Sequence, residues 1–210
     1  MKMVKLVKPQ IIVHRVNTIA QLKKTETYLG VEIDLRSKGS KIILQHDPFC
    51  YGEAFEVWLD YYKHNAIILN VKEEGLEKTI TSLLLQRNIK NYFFLDVSFP
   101  FMVWLSNEGM REFAVRLSEY ESLETVLNMK GRVKHVWVDC FTKSPLNYDI
   151  YKKLKAADFQ VCIASPELQR HDIKEIEIYA NVLWKEGIDF DAVCTKRPEL
   201  WENLIVKHHC

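Results

Sequence analysis

The 210-residue chain has only seven glycines and six prolines, and nowhere do they gather into a Gly-, Pro- or Ser-rich linker. No domain boundary is visible, and a length of this order suits one well-cored domain. Neither G-x-G-x-x-G nor G-x-x-x-x-G-K-[ST] occurs, which removes the usual signs of a dinucleotide fold or a P-loop. Excess charge of one sign is also missing. With 29 Lys and Arg against 28 Asp and Glu, the net charge of +1 makes no polybasic field. Nucleic acid and anionic membrane are therefore not expected partners, and any anion binding must be local. Cys50, Cys140, Cys162, Cys194 and Cys210 are odd in number, widely spaced and without a C-x-x-C, which argues against a disulfide framework and against a zinc cluster. The start, "MKMVKLVKPQIIVHR", has no apolar run of signal-peptide length, and no window approaches a membrane span. A soluble, cytoplasmic protein is expected.

What the chain does have is alternation. Apolar runs rich in Val, Ile and Phe recur eight times: "IIVH" (11–14), "VEIDL" (31–35), "AIILNV" (66–71), "YFFLDV" (92–97), "FAVRL" (113–117), "HVWVD" (135–139), "QVCIAS" (160–165) and "DAVCT" (191–195). Amphipathic stretches such as "TIAQLKKTETYLG", "GLEKTITSLLLQRN", "LNYDIYKKLKAADF" and "IKEIEIYANVLWKEG" lie between them, with Gly30 and Gly187 placed as helix stops. Eight strand-helix units predict an α/β fold, a (β/α)8 TIM barrel in a single domain.

Function in such a barrel gathers at the C-terminal ends of the strands. Side chains alternate faces along a strand, so Glu32 and Asp34 share one face while Val31, Ile33 and Leu35 share the other. With the apolar set against the helices, the two acids point into the barrel mouth, where unpaired carboxylates are costly unless a cation neutralises them. Hard oxygen ligands suit Mg²⁺ or Ca²⁺ better than Zn²⁺. Taken alone, Glu-x-Asp reads as a half-solvated strand, His14 as a structural residue and His46-Asp47 as a turn. Together they place two histidines around a diacid on the first two strands. That set would supply a general acid and a general base beside a divalent ion, with Arg15 and Lys72 as anion ligands, a constellation for phosphoryl transfer. Arg116 and Ser118 share a strand face and would bind phosphate or a polyol, or else Arg116 pairs inward with Asp139 or Glu119. Glu167 in "SPEL" reads as part of a helix start, Trp137 and Phe141 as packing aromatics, and "KHHC" as a frayed tail.

The order "HR", "EID", "HD" resembles the glycerophosphodiester phosphodiesterase family, and the likeness extends to "LNVK" on the third strand and "DAVCTKRPELWE" near the end. The resemblance implies a (β/α)8 barrel that hydrolyses a small glycerol-, polyol- or sugar-linked phosphodiester with a divalent cation, Mg²⁺ or Ca²⁺, with Mn²⁺ as an alternative. On that analogy His14 and His46 form the acid/base pair, Glu32 and Asp34 hold the metal, and Arg15 and Lys72 hold the phosphate. A hydroxyl of the substrate would be the first nucleophile, giving a cyclic phosphate that water opens. The chain departs from the pattern in three places. Val16 follows His-Arg where the family has Gly, Asn70 stands where the family has its third metal-ligating Glu, and the segment after "HDPF" is short. Asp139, Glu119 and Glu73 are the candidates to replace that missing acid. The alternatives left open are a cyclising lyase, a phosphomonoesterase, and a barrel that binds a phosphorylated ligand without turnover.

Overall fold

All eight apolar runs are strands in the computed structural model, which describes residues 8–209. The first seven residues of the leaderless reading, and Cys210 of "KHHC", lie outside the described residues. In chain order the first elements are β1 (Gln10–Val13), α1 (Ile19–Lys24), β2 (Gly30–Lys38), β3 (Lys41–Leu44), β4 (Glu53–Ala54), α2 (Phe55–Leu59) and β5 (Ile67–Val71). Next come α3 (Glu77–Gln86), β6 (Tyr92–Leu95), α4 (Phe99–Asn107), β7 (Ala114–Leu117), α5 (Leu123–Asn128) and β8 (His135–Val138). The chain closes with α6 (Tyr148–Ala156), β9 (Gln160–Ala164), a 3₁₀ turn (Pro166–Gln169), α7 (Glu175–Lys185), β10 (Ala192–Thr195) and α8 (Pro198–His209). Among the described residues no helix is long and apolar enough to cross a membrane.

The parallel strands run β6-β5-β2-β1-β10-β9-β8-β7, and the β3–β4 hairpin extends antiparallel from the end of β2. Between β6 and β7 the ladder shrinks to one parallel bridge, Phe94 with Phe113, and one bond from the Phe94 N–H to the Glu112 carbonyl at 2.7 Å. The fold is therefore a single-domain α/β sheet, curled until its end strands touch at one point, where eight full ladders were expected. The Phe94 and Phe113 rings pack 5.5 Å apart at the seam, and β6 is ended by Asp96 in a left-handed conformation, φ 61°.

The two faces of the strands segregate as period-2 geometry requires. Val31, Ile33 and Leu35 are fully buried against the helices, in a core that includes Trp58, Ile80, Leu84, Phe159 and Trp201. The concave side is plugged by a smaller cluster of Ile12, Ile68, Phe93, Leu95, Ala114, Trp137, Cys162, Ala164 and Cys194.

Local signals explain the helices. Thr18 caps α1 in a capping box with Gln21, and Asn147 caps α6 by accepting the Ile150 N–H at 3.0 Å. Gly187, φ 73°, stops α7 as expected. Gly30 does not stop a helix. It opens β2 between β1 and β5, where a Cβ would sit 2.9 Å from Ile12 Cγ1 and 3.2 Å from the Ala66 carbonyl, so its smallness serves strand packing. The C-terminal tail expected to fray is helical as far as His209, with the His208 ring stacked 4.3 Å from Trp184.

Candidate active site

The mouth is built from the last residues of the strands. Beyond Val13 the chain turns sharply, because Arg15 is left-handed (φ 59°). That turn aims the Arg15 N–H at Glu32 Oε2 (2.7 Å) and the Val16 N–H at the Glu32 carbonyl (2.8 Å), while Val16 itself is buried in the core. A non-glycine residue held in this region is strained by about 1–3 kcal/mol, and such strain collects at functional sites. One turn thus does two jobs: it cradles Glu32 and delivers His14 and Arg15 to the mouth.

Glu32 and Asp34 are both fully buried and both point inward. Glu32 also accepts from Asn70 Nδ2 at 3.0 Å. Burial, reinforced by the negative charge of Asp34, pushes the Glu32 carboxyl up to about 7, against the pull of these hydrogen bonds. Asp34 is clasped by Asn17, which donates from Nδ2 to Oδ2 (2.8 Å) and accepts the Asp34 N–H on Oδ1 (2.8 Å). Asn17 does not share the helix cap with Thr18. Two cations flank Asp34, Lys72 Nζ at 3.4 Å and Arg15 Nε at 3.6 Å.

From Lys72 an alternating chain of charge crosses the mouth. Lys72 bonds Asp96 at 3.2 Å, Asp96 bonds Arg116, and Arg116 bonds Asp139. Burial works against the ionised Asp96, but Arg116 and Lys72 outweigh it and hold that carboxyl below its usual range. Asp139 accepts further bonds from Trp137 Nε1 (2.9 Å) and Gln169 Nε2 (2.7 Å). Arg116 spends its three nitrogens on Asp96, Asp139 and Glu121.

His14 stands in the cavity wall with Nε2 3.9 Å from Glu32 Oε2. Burial, with Arg15, Lys196 and Lys72 adding to it, pushes its imidazole down to about 3, so it is neutral at pH 7. His46 does not line the cavity. It sits at the rim on the loop after β3, its Nδ1 2.8 Å from the Asp47 carboxylate and its carbonyl accepting from Arg36 Nε at 3.0 Å. His14, Arg15, Asn70, Lys72, Arg116 and Asp139 line one cavity of about 390 Å³, together with Asp96, Gln169, Arg170 and Lys196. That volume lies in the range of small-molecule sites.

Two of the acids weighed for metal ligation have other duties. Glu119 accepts the N–H groups of Phe141 (3.2 Å), Thr142 (2.6 Å) and Lys143 (2.7 Å), and Glu73 accepts the Ser37 N–H at 2.6 Å. Glu167 likewise binds loops together, through Thr195 Oγ1 at 2.6 Å and the Lys196 N–H at 2.9 Å. Among the described residues, no three His, Cys, Asp or Glu side chains converge as a metal cluster. A different donor set does fit a hard cation. Asp34 Oδ1 and Asn70 Oδ1 are buried oxygens without a hydrogen-bond partner; Asp34 Oδ1 has the Lys72 ammonium 3.4 Å away, and Asn70 turns its amide nitrogen, not this oxygen, to Glu32. Sequence reasoning took Asn17 with Thr18 as a helix cap, not as a partner of Asp34, and did not single out Gln169 or Arg170. Their roles come from loop geometry, and the one signal available was that all three are polar residues just beyond strand ends.

By fold and site together, the chain is an α/β protein with a polar, charge-alternating cavity at the C-terminal ends of parallel strands. It matches no protein-family model and no curated protein sequence. Among solved structures it is similar to a glycerophosphodiester phosphodiesterase from Agrobacterium tumefaciens, at 13% identity and a TM-score of 0.68 over 93% of this chain and 98% of that one. It is equally similar to a glycerophosphoryl diester phosphodiesterase from Parabacteroides distasonis, at 14% identity and a TM-score of 0.68 over 97% of this chain and 88% of that one. The chain has the fold of those two proteins along nearly its whole length.

Proposed function

We propose that the chain is a phosphodiesterase acting on a small phosphodiester at this mouth. The observation that carries the reading is the fully buried Glu32–Asp34 pair lying behind His14, Arg15, Asn70 and Lys72, which themselves line the cavity. The fold shared with two phosphodiesterases, a curled sheet of eight parallel strands, supports it. Arg15 and Lys72 bind the phosphate oxygens. A hydroxyl next to the ester oxygen attacks phosphorus, His14 accepts its proton, and the departing alcohol takes a proton from His46, leaving a cyclic phosphate. Water then opens the ring with the proton transfers reversed, giving a phosphomonoester. His14 is neutral and open to a proton but a weak base while burial and the Arg15, Lys196 and Lys72 charges press on it, so an anionic phosphate that offsets those charges would strengthen it. A His46 Nδ1–H given to Asp47 would fix that ring and leave Nε2 for proton exchange.

Glu32, Asp34 and the Asn70 side-chain oxygen would hold Mg²⁺ or Ca²⁺, with Mn²⁺ as an alternative; such an ion would neutralise charge on the phosphate oxygens. Arg116 and Asp139 are assigned here to the cavity wall, since their polar atoms are taken up by one another and by Asp96, Trp137 and Gln169. The free, buried thiols of Cys140, Cys162 and Cys194 fit a reducing compartment such as the cytoplasm. The test is release of phosphomonoester from a panel of glycerol and sugar phosphodiesters, with chelator and with each ion restored. Turnover that chelation stops and an ion restores supports the whole reading. Binding of diesters without turnover would make the chain a phosphate-binding module instead.

A further inference from the structure

Two cations in the cavity are not used by the chemistry above. Arg170 and Lys196 line the same mouth, both are exposed, and among the described residues neither has a carboxylate within ion-pair distance. This contrasts with Arg15, Lys72 and Arg116, each of which faces an acid. The backbone that carries the two side chains is held in place by its surroundings. Arg170 is left-handed (φ 69°) and lies between two anchored neighbours. Gln169 donates to Asp139 at 2.7 Å, and His171 Nε2 contacts the Cys140 carbonyl at 3.0 Å. Lys196 is tied through its N–H to Glu167, which belongs to the same 3₁₀ turn that ends at Arg170. One carboxylate thus couples the loop that presents Arg170 to the strand end that presents Lys196. The left-handed backbone of Arg170 closes the 3₁₀ turn, its N–H bonding back to the Glu167 carbonyl, while its guanidinium and the Lys196 ammonium line a cavity whose acids, Asp96 and Asp139, are already paired with Arg116.

We propose that Arg170 and Lys196 form a second anion subsite, so that the preferred substrate is a phosphodiester whose alcohol carries a further anionic group, a phosphate or a carboxylate. The inference rests on the phosphodiesterase reading for the identity of the first anion, which Arg15 and Lys72 take. A planar guanidinium beside an ammonium engages either oxyanion. The 390 Å³ cavity is large enough to take both ends of such a molecule.

The experiment compares kcat/KM for glycerophosphoglycerol, whose second alcohol is neutral, with diesters of glycerol 3-phosphate and of glycerate. Each is measured on the unmodified chain and on an Arg170→Gly, Lys196→Ala double variant; glycine keeps the left-handed turn. The expected result is a preference of at least about tenfold for an anionic diester, expressed mainly in KM, that falls below about threefold in the variant. Which anionic diester is preferred tells phosphate from carboxylate. In parallel, calorimetry compares glycerol 3-phosphate with glycerol 1,3-bisphosphate, and the bisphosphate is expected to bind about tenfold more tightly to the unmodified chain alone. Cleavage of diesters without this preference, or a preference that survives in the variant, overturns the subsite and leaves the phosphodiesterase reading standing. No cleavage, with the calorimetric preference intact and lost in the variant, overturns the phosphodiesterase reading and keeps the subsite.

Discussion

Asn70→Asp changes one atom of the mouth and tests what neutralises the diacid. In the structure Asn70 Nδ2 donates to Glu32 Oε1 at 3.0 Å, and the amide oxygen, Oδ1, has no partner. The substitution is isosteric, so a carboxylate oxygen replaces the donor at that distance. Two unit charges this close repel by about 5 kcal/mol at an effective dielectric near 20, and a charge-assisted bond of about 1.5–3 kcal/mol is lost as well. Because the Glu32 carboxyl already sits at about 7, it takes up a proton at little cost and relieves most of this repulsion. A net loss of about 1–3 kcal/mol, mainly the lost hydrogen bond, should remain in metal-free protein at pH 7, equivalent to a Tm lower by about 5 °C at this chain length. The same change supplies a third acid, so a divalent ion that binds only the folded state should restore about 3 kcal/mol at a hundredfold excess over its Kd. The assay is thermal unfolding with chelator, Mg²⁺, Ca²⁺ and Mn²⁺. The variant should fall below the parent in chelator and respond more steeply to ions. A Tm unchanged by the substitution, or a drop that no divalent ion reverses, would refute the assignment of Asn70 as the third position of a cation site.

Three other outcomes follow from the geometry. In chelator, Glu32→Gln should gain on the parent as pH rises. The folded Glu32 holds a proton up to about pH 7 that the unfolded chain releases near 4.5, so its favourable contribution is complete below 4.5 and lost as pH rises through 7, a difference of about 3 kcal/mol measurable by denaturant unfolding at pH 4.5 and 8. Arg116→Met should destabilise by about 3–5 kcal/mol in the same assay, because it leaves the fully buried Asp139 without its cation; a loss under 1 kcal/mol would remove Arg116 from the cavity wall. Gly52→Ala should cost about 1–3 kcal/mol and depress activity more than stability explains, since the new Cβ would lie 2.1 Å from the Leu44 carbonyl and displace the loop that carries His46. Wild-type kcat in that variant would show that the placement of His46 does not matter.

Much of the fold was legible because it rests on period-2 patterning. Val31, Ile33 and Leu35 against Glu32 and Asp34 told which face was which, and the structure places them so. The β6–β7 seam was not legible, because a single bridge between Phe94 and Phe113 has the same sequence pattern as a full ladder. Gly30 was misread as a helix stop because the crowding that demands glycine comes from Ile12 and Ala66, remote in the chain. At the candidate site, parity put Glu32 and Asp34 on the inner face of their strand, as they are in the structure. The role of Asn17 and the places of Gln169 and Arg170 were missed because loop residues carry no period, and their direction is set by bonds to Asp34, Asp139 and Glu167 that only tertiary structure supplies.

Phosphorus NMR of the purified chain with a glycerophosphodiester, a divalent ion, and single His14→Ala and His46→Ala variants tests the central claim most directly. The account predicts that the diester resonance gives way to a phosphomonoester, with a cyclic phosphate appearing on the way, and that each variant slows the loss by about 10²–10⁴. A diester signal that persists with the unmodified chain, or that decays at an undiminished rate in both variants, would contradict it.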